Sequence, residues 1–600
     1  MKPIVTDTYD FTTLIRRGYV YVDKTALLHR MISGVDGTLF FMSRPRRFGK
    51  SLMISTLEQI FLGNKALFKG LAISRMGYDW KKYPVIRLDM SVLKANSASE
   101  YRRVLCAAVA AEAARHGLTL EENVQPGWML NQLIGKLAVR NRKVVVLVDE
   151  YDAPLGGLLS NQKMLKAVRG LLHDFYITMK VRVADVQFLM MTGVSKFSKL
   201  SVFSGLNNLT DISMRPEYAG LLGYTPDELD EFFNGHLKAF AKDRKMSPTA
   251  ARSMLLSWYD SYRFSPKSSV KVCNPVSIGR ALTERKLEGF WNATGNATLI
   301  IERLRKAGKL PDELEGIESD EDELSTCDIL SLPVIPLLYQ GGYLTIKSVN
   351  SNGRLRLGIP NLEVRTALNR GFLADLFKKD AREFTSTAES LVSELDSSAN
   401  VSDVLRRVLT SVFAIVPHEW KLRNEVEAKR YFLLFMKMAG ADIAPELESS
   451  KGRADAVVET EKTVYVFEFK CGKTARAALK QIDENGYAMP YASDSRKVLC
   501  VGLNYNAKTA SFDAPLIVEA INGKVNGKVN GKVNGKVNGK VNGKVKDWIL
   551  QHGGCKRMAL IKAVGKSART VDRALSELMA AGQVEFRGAP KNGGYFAIDG

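Results

Sequence analysis

"FFMSRPRRFGKSL", Phe40 to Leu52, decides the fold of this 600-residue chain. An apolar run, a basic turn and a second apolar segment follow one another as strand, loop and helix would. Gly49-Lys50-Ser51 closes the stretch like the end of G-x-x-x-x-G-K-[ST], the loop whose backbone amides cradle phosphates. Arg44 stands where the first glycine of that pattern belongs, which removes one permissive backbone position. Arg46 and Arg47 keep the loop electropositive, and Arg44, Arg46 and Arg47 are all candidate nucleotide-binding residues. Lys50 is placed to reach β- and γ-phosphates, and Ser51 to ligate Mg²⁺.

The surroundings are those such a loop needs. "VVVLVDEYDAP" from Val144 is an apolar run closing on two carboxylates, as a buried parallel strand does when its end faces a site. Asp149 suits a Mg²⁺ ligand, and Glu150 beside it a water-activating base. "VQFLMMTGVSKF" from Val186 repeats the pattern and ends on Thr192-Gly193, and "PVIRLDMS" from Pro84 reads as a third strand. Helical stretches such as "SEYRRVLCAAVAAEAARHG" lie between them. Alternating strands and helices predict an α/β fold, a doubly wound parallel sheet over residues 1–230. Residues 231–375 read as a mostly helical connecting region. The acidic run 311–325 reads as a solvated loop or helix face.

Four motifs carry a family resemblance: "YVDKTALL" at 21–28, "RPRRFGKS" at 44–51, "VDEYDAPL" at 148–155 and "TGVSKFSKLSVFSGLNNLTDIS" at 192–213. With "WYDSYRF" at 258–264 and "NPVSI" at 274–278, they resemble the AAA-ATPase-like family over roughly residues 1–300. There the loop is RPRRFGKS-like, so Arg44 is a family trait. The resemblance implies ATP as ligand, Lys50 and Ser51 on its phosphates, Asp149 and Glu150 as the Walker B pair, and Thr192 as a polar sensor. Arg263 reads either as a second sensor or as a structural salt bridge. "FWNATGN" at 290–296 continues the match without a chemical role.

Residues 376–515 form a second α/β segment. In "TVYVFEFK" side chains alternate, so Val464, Val466, Glu468 and Lys470 share one face. Asp455 on the preceding strand then meets Glu-x-Lys around one point. Carboxylates bind Mg²⁺, which polarises a phosphate and acidifies water, and a lysine stabilises the attacking hydroxide. Gln481 on the next helix can reach the same point. "GRADAVV", "VFEFK" and "ALKQI" resemble the PD-(D/E)xK nuclease domain, whose helical glutamate falls at Glu425 or, alternatively, Glu427.

Residues 522–545 are six copies of Asn-Gly-Lys-Val, and 516–545 reads as a flexible basic linker. Beyond it, 546–600 reads as three helices and a hairpin and resembles a winged helix. Lys566, Ser567, Arg569, Thr570 and Arg573 line the start of its presumed recognition helix, with Arg587 and Lys591 on the wing. The chain carries a net charge of +22, and residues 522–600 hold 15 Lys/Arg against 5 Asp/Glu. That balance points to a polyanionic partner, DNA before RNA. Six scattered cysteines without a C-x-x-C pair argue against a disulfide framework or a zinc knuckle. Without a signal region or a run of about 20 apolar residues, the expectation is a cytoplasmic protein with no membrane span. A homo-oligomer is a further expectation.

Overall fold

The computed structural model describes all residues except 142, 160, 197–207, 291–296, 308, 310, 326–332, 378–393, 396–400, 414–428, 430–431, 434–435, 437–441, 446–447, 450–451, 461, 507–508, 510, 526–537, 581–582, 589–592 and 598–600. The chain forms two compact units. The first is Met1–Pro445 with two short pieces, Val458–Glu461 and Tyr505–Phe512, and the second holds the remainder.

The first unit is built on a five-stranded sheet. Its strands are β1 (Leu39–Ser43), β2 (Val85–Asp89), β3 (Val144–Asp149), β4 (Val186–Gly193) and β5 (Thr210–Asp211), in the order β2-β3-β4-β1-β5. Every pairing is parallel. The apolar runs are continuous because both faces are covered. On one face Val145 and Leu147 pack with Ile54 and Leu57 of the helix Lys50–Phe61. On the other, Val144, Val146 and Val148 pack with Leu130 and Leu133 of the helix Pro126–Asn141 and Leu165 and Val168 of the helix Gln162–Val181. Each fully buried valine or leucine contributes about 1.5–3 kcal/mol relative to exposure. The register sets Ser43 beside Gly193, Met42 beside Thr192, and Asp89 beside Asp149, so the polar ends of the strands share one edge.

The helical part that follows has a legible grammar. Helices Pro226–Asp243, Pro248–Tyr259 and Pro275–Glu284 each start with proline behind a capping residue, Thr225, Ser247 or Asn274. The cap's oxygen accepts helical N–H groups while proline supplies the first turn's φ. Thr225 and Glu228 complete a reciprocal capping box. The connecting region also holds a small antiparallel sheet of Ile317–Ser319, Leu355–Gly358 and Thr345–Val349, which the periodicity did not reveal. Within the acidic run, Leu314 and Leu324 are buried, so it is a packed surface segment rather than a bare loop.

The second unit holds β6 (Ala456–Glu459, shared with the first at its end), β7 (Thr463–Cys471), β8 (Lys497–Asn506) and β9 (Leu516–Ile521). In the sheet they stand in the order β9-β8-β7-β6. Val464 and Val466 of β7 pack against Leu479 and Ile482 of the helix Ala475–Asn485. The tail has helices Asn538–Gln551, Arg557–Val564 and Ala568–Ala580, then an antiparallel pair, Val584–Arg587 and Gly594–Ala597. Cys555 adds an antiparallel bridge to Tyr595.

The repeat corrects the linker expectation at both ends. Residues 516–521 are strand β9. The first copy turns through Asn522 (φ 50) and Gly523 (φ 73) and returns as β10 (Lys524–Val525) against Ala520 and Ile521. Two consecutive left-handed residues are what a two-residue hairpin turn requires. The last two copies are helical and bury Val541 and Val545 in the core of the tail. Residues 526–537 lie outside the described residues.

Candidate functional sites

The loop after β1 turns through two left-handed residues, Arg47 (φ 66) and Gly49 (φ 96). Gly49 is the N-cap of the twelve-residue helix that follows, and no side chain caps it. The first N–H groups of that helix therefore face the loop, where an anion satisfies both them and the helix dipole. Lys50 is 3% exposed and donates through Nζ to the carbonyls of Arg44 (3.0 Å) and Pro45 (3.1 Å). Burial pushes its ammonium pKa down, opposed by Glu150, Asp149 and Asp152.

Opposite lies the end of β3. The buried Asp149 accepts the Thr192 hydroxyl at 2.5 Å and the Glu150 N–H at 3.1 Å. Thr192 and Asp149 are thus one hydrogen-bonded pair on neighbouring strands. Glu150 sits in the left-handed region (φ 50), and burial pushes its carboxyl above the usual range. Lys50 opposes that shift.

Two further residues were not singled out from the sequence. Asp152 is buried and accepts the N–H groups of Val194 (3.2 Å) and Ser195 (2.7 Å), while burial raises its pKa. Tyr151 donates its N–H to Thr192 O at 2.9 Å and its hydroxyl to Ser195 O at 2.8 Å. "DEYD" therefore clamps "TGVS". Gly193 is needed for that clamp: a Cβ there would meet Tyr151 Cδ1 at 2.5 Å and Asp152 Oδ1 at 2.6 Å. The second aspartate of D-E-x-D was the available signal.

A cleft opens beside the loop, lined among others by Tyr9, Tyr21, Phe48, Gly49 and Tyr224. Lys24 on its wall is anchored to Glu228 (2.6 Å) and to Gly220 O (2.7 Å). Arg47 lines the cleft and donates to Phe290 O at 2.7 Å, while Arg46 is exposed. Ser51 is half-buried in the first helical turn.

Two loop-region expectations are corrected. Arg44 turns its guanidinium away from the cleft, onto the carbonyls of Ser43 and Ser213 and over the Phe264 ring. Arg263 is neither a sensor nor a salt bridge: its guanidinium donates to the carbonyls of Ser265, Pro266 and Ser268 and holds that turn together. Of the long motif at 192–213, residues 197–207 lie outside the described residues, as do 291–296 of "FWNATGN".

Among the described residues, no cluster of three or more His, Cys, Asp or Glu is arranged to hold a metal. Mg²⁺ takes one or two protein oxygens and completes its shell with substrate phosphates and water, so oxygen donors at the helix start and at the end of β3 are the ones to compare with it. Ser51, in the first turn of the helix, and Asp149, at the end of β3, are oxygen donors of that kind.

In the second unit, Glu468 (1% exposed) and Lys470 (6%) share a face of β7, and Lys470 Nζ donates to Glu468 Oε1 at 2.9 Å and to Phe469 O at 2.7 Å. Asp455 stands one residue before β6 and accepts the Phe469 N–H at 2.8 Å. The three side chains are therefore gathered at one end of β7. The recorded bond of Gln481 goes to the Tyr487 hydroxyl at 3.5 Å. Glu425 and Glu427 lie outside the described residues. In the tail, Lys566, Ser567, Arg569 and Arg573 are exposed at the start of the third helix, and Thr570 is half-buried. Arg587 pairs with Glu585 and covers the Phe596 ring at 5.1 Å, so its charge is partly engaged within the tail. Lys591 lies outside the described residues.

The model of a predicted AAA-ATPase domain matches residues 5–203, and that of the PD-(D/E)XK nuclease superfamily matches 423–514. An uncharacterized protein in the vnfD 5′ region of Azotobacter chroococcum mcd 1 is 33% identical over 515 residues, covering 83% of this chain and 95% of that one. The chain belongs to the AAA-ATPase-like family. It joins that family's ATPase-like domain to a PD-(D/E)XK nuclease-superfamily domain. The Aeropyrum pernix ORC2 protein, solved in ADPNP–ADP complexes, is 12% identical and covers 58% of this chain and 93% of that one, with a TM-score of 0.21. Nothing is drawn from a score so low. Among the described residues, no helix is long and apolar enough to cross a membrane.

Proposed function

We propose that this AAA-ATPase-like protein binds and hydrolyses ATP with Mg²⁺, acts on DNA, and cuts a phosphodiester through its nuclease-superfamily domain. The observation that carries the reading is the meeting of Lys50, Asp149, Glu150 and Thr192 at the polar edge of one parallel sheet. Lys50 exchanges its loop carbonyls for phosphate oxygens. The loop amides, Arg46 and Arg47 add positive charge around them, and the neighbouring cleft takes the nucleoside. Ser51 and Asp149 would hold the metal, which would supply positive charge against the developing phosphate charge. Thr192 keeps Asp149 oriented and its own hydroxyl beside the terminal phosphate. Glu150 is the base: burial strengthens its hold on a proton, and the Lys50 charge opposes that shift.

At the second site, Asp455 and Glu468 would hold Mg²⁺, Lys470 would stabilise the attacking hydroxide, and Gln481 and Glu425 would complete the shell. The tail would be a winged helix whose third helix, led by Lys566, Ser567, Arg569 and Thr570, meets the duplex. The antiparallel bridge of Cys555 to Tyr595 supports that topology. The test is direct. Purified protein is incubated with DNA or RNA, with and without ATP and Mg²⁺ or Mn²⁺. Metal-dependent cleavage and ATP turnover are expected. ATP turnover without cleavage under any metal would leave an ATPase whose nuclease fold serves for binding. Loss of neither activity in Lys50→Ala and Asp455→Ala proteins would refute both assignments.

A further inference from the structure

Of the motifs that mark the family, "YVDKTALL" at 21–28 adds no residue to the phosphate loop or to the end of β3. Asp23 accepts the N–H (2.9 Å) and the hydroxyl (2.6 Å) of Thr25 with one oxygen, and the Ala72 N–H (2.7 Å) with the other. The Thr25 hydroxyl oxygen in turn accepts the Ile73 N–H at 3.1 Å. Together they pin the start of the helix Thr25–Ile32 to the short turn Ala72–Arg75. Lys24, between them, goes elsewhere. Its ammonium lies 2.6 Å from each carboxylate oxygen of Glu228 and donates to Gly220 O at 2.7 Å. The two side chains of that ion pair are only 13% and 19% exposed. Glu228 is held independently, since Oε2 accepts the Thr225 N–H (2.8 Å) in the capping box of the helix Pro226–Asp243.

The pair joins two stretches of the nucleotide cleft's wall. Tyr21, Val22 and Lys24 belong to one, and Leu222, Gly223 and Tyr224 to the other. The second stretch is also tied to the phosphate loop, because the Gly223 N–H donates to Phe48 O at 3.1 Å. Gly223 has φ 85, and a Cβ there would meet Val272 Cβ at 2.8 Å, so the backbone is closely backed at this point. Val22 shares a core with Leu229 and Phe233, so apolar burial alone keeps the two stretches in contact. Among the described residues, the recorded hydrogen bonds between 20–24 and 220–228 all come from Lys24.

Given the nucleotide reading of the loop, on which this rests, we propose that Lys24 is a positioning residue for the nucleoside of ATP. Its bonds to Glu228 and Gly220 hold the cleft walls in the arrangement that receives the nucleoside, while Lys50 and the loop amides hold the phosphates. Desolvation offsets much of the Coulomb gain of so buried a pair, so what it supplies is fixed geometry more than stability. Walls already in place spare a ligand the cost of ordering them.

The test uses the full chain carrying Lys24→Met and Glu228→Gln together, which removes both charges and leaves a glutamine to complete the capping box. ATP and inorganic tripolyphosphate, each with Mg²⁺, are titrated calorimetrically, and ATP turnover is followed beside them. The double variant should bind ATP at least about tenfold more weakly, because pre-organisation is lost. KM should rise by a similar factor with kcat within about twofold of wild type, the signature of lost uniform binding. Tripolyphosphate has no nucleoside and should bind as it does to wild type. Equal weakening of both ligands would make the pair a support of the fold and overturn its positioning role, as would an unchanged ATP affinity. Should the double variant fail to fold, Glu228→Gln alone decides, since it keeps the cap and one acceptor for Lys24. Several-fold weaker ATP binding beside unchanged tripolyphosphate binding then supports the role, and equal effects on the two ligands refute it. Wild-type protein that binds tripolyphosphate as tightly as ATP would overturn the role of Lys24 and leave the phosphate loop standing. Wild-type protein that binds neither would overturn the nucleotide reading, and the role of Lys24 with it.

Discussion

Gly193→Ala is the sharpest perturbation of the nucleotide site, because it adds one methyl where there is no room. The new Cβ would stand 2.5 Å from Tyr151 Cδ1 and 2.6 Å from Asp152 Oδ1. Carbon atoms in contact sit about 3.5–4.0 Å apart, so the tyrosine ring must retreat by roughly 1 Å. It cannot do so freely: Tyr151 is fully buried, edge-on to Phe41, and tied through its own N–H to Thr192 O. Overpacking of this kind costs about 1–3 kcal/mol. In a domain of this size each kcal/mol lowers the melting temperature by about 2–4 °C. The displaced segment begins at Glu150, and misplacing a catalytic group by about 1 Å can cost about 10²-fold in rate. Differential scanning fluorimetry and steady-state ATP turnover read the two effects. Gly170→Ala is the control. It lies exposed in the helix Gln162–Val181 with nothing within 4 Å of its Cβ, so it should gain about 0.5–1 kcal/mol. A Gly193→Ala protein with wild-type melting and turnover would refute the clamp between "DEYD" and "TGVS".

Lys50→Ala should abolish ATP turnover and weaken nucleotide binding, whereas Glu150→Gln should retain ATP and slow turnover; filter binding and phosphate release separate the two. Asp455→Ala and Lys470→Ala should each lower metal-dependent DNA cleavage by at least about 10²-fold, and the double variant should be little worse, since residues acting as a unit are not additive. ATP turnover should survive in all three, and gel assays beside phosphate release check this. Burial pushes the Cys500 thiol up to about 12 and the Cys273 thiol well above the usual thiol range. Both should resist alkylation at pH 8 in the folded chain and react in urea, as peptide mass spectrometry would show, because the thiolate is the nucleophile.

The parallel sheet was legible because burial on both faces leaves nothing but apolar residues between polar ends, so strand limits and site residues coincide in "VVVLVDEYD". Asp149, Glu150 and Thr192 were picked out by that rule, and Lys50 by the Gly-Lys-Ser loop pattern. The direction of Arg44 followed from neither. A sequence shows that an arginine is near a loop, not which side of the backbone it leaves from, and the Phe264 ring that receives it is 220 positions away. Arg263 was misread for the same reason, since the carbonyls it serves belong to the turn just after it. Asp152 was overlooked because its role is in its donors, two backbone amides that only the sheet register brings near. In the second unit, strand alternation correctly put Glu468 and Lys470 on one face, whereas the reach of Gln481 depended on a helix rotation that spacing does not fix.

The Asn-Gly-Lys-Val array gives the cleanest case of context deciding structure. Local propensity is identical in every copy, yet one copy is a hairpin turn and two are helix. Asn-Gly favours the turn where β9 must reverse direction. At the other end, helix propensity argues against two glycines, and the helix forms because Val541 and Val545 fall four apart and enter the core with Leu560, Val571 and Leu575. Tertiary burial therefore outweighs propensity there, and the same substitution should behave differently in different copies. Val545 is fully buried and Val525 half-buried at the end of a short strand. Val545→Asp places an unpaired charge in the core, at a cost of about 3–5 kcal/mol, enough to unfold a tail of this size. Val525→Asp should cost far less, since its carboxylate can turn to water. Limited proteolysis with mass spectrometry reads the difference: rapid cleavage within 546–600 is expected only for Val545→Asp. If both variants, or neither, release tail fragments, the copies are equivalent after all and the helix owes nothing to the buried valines.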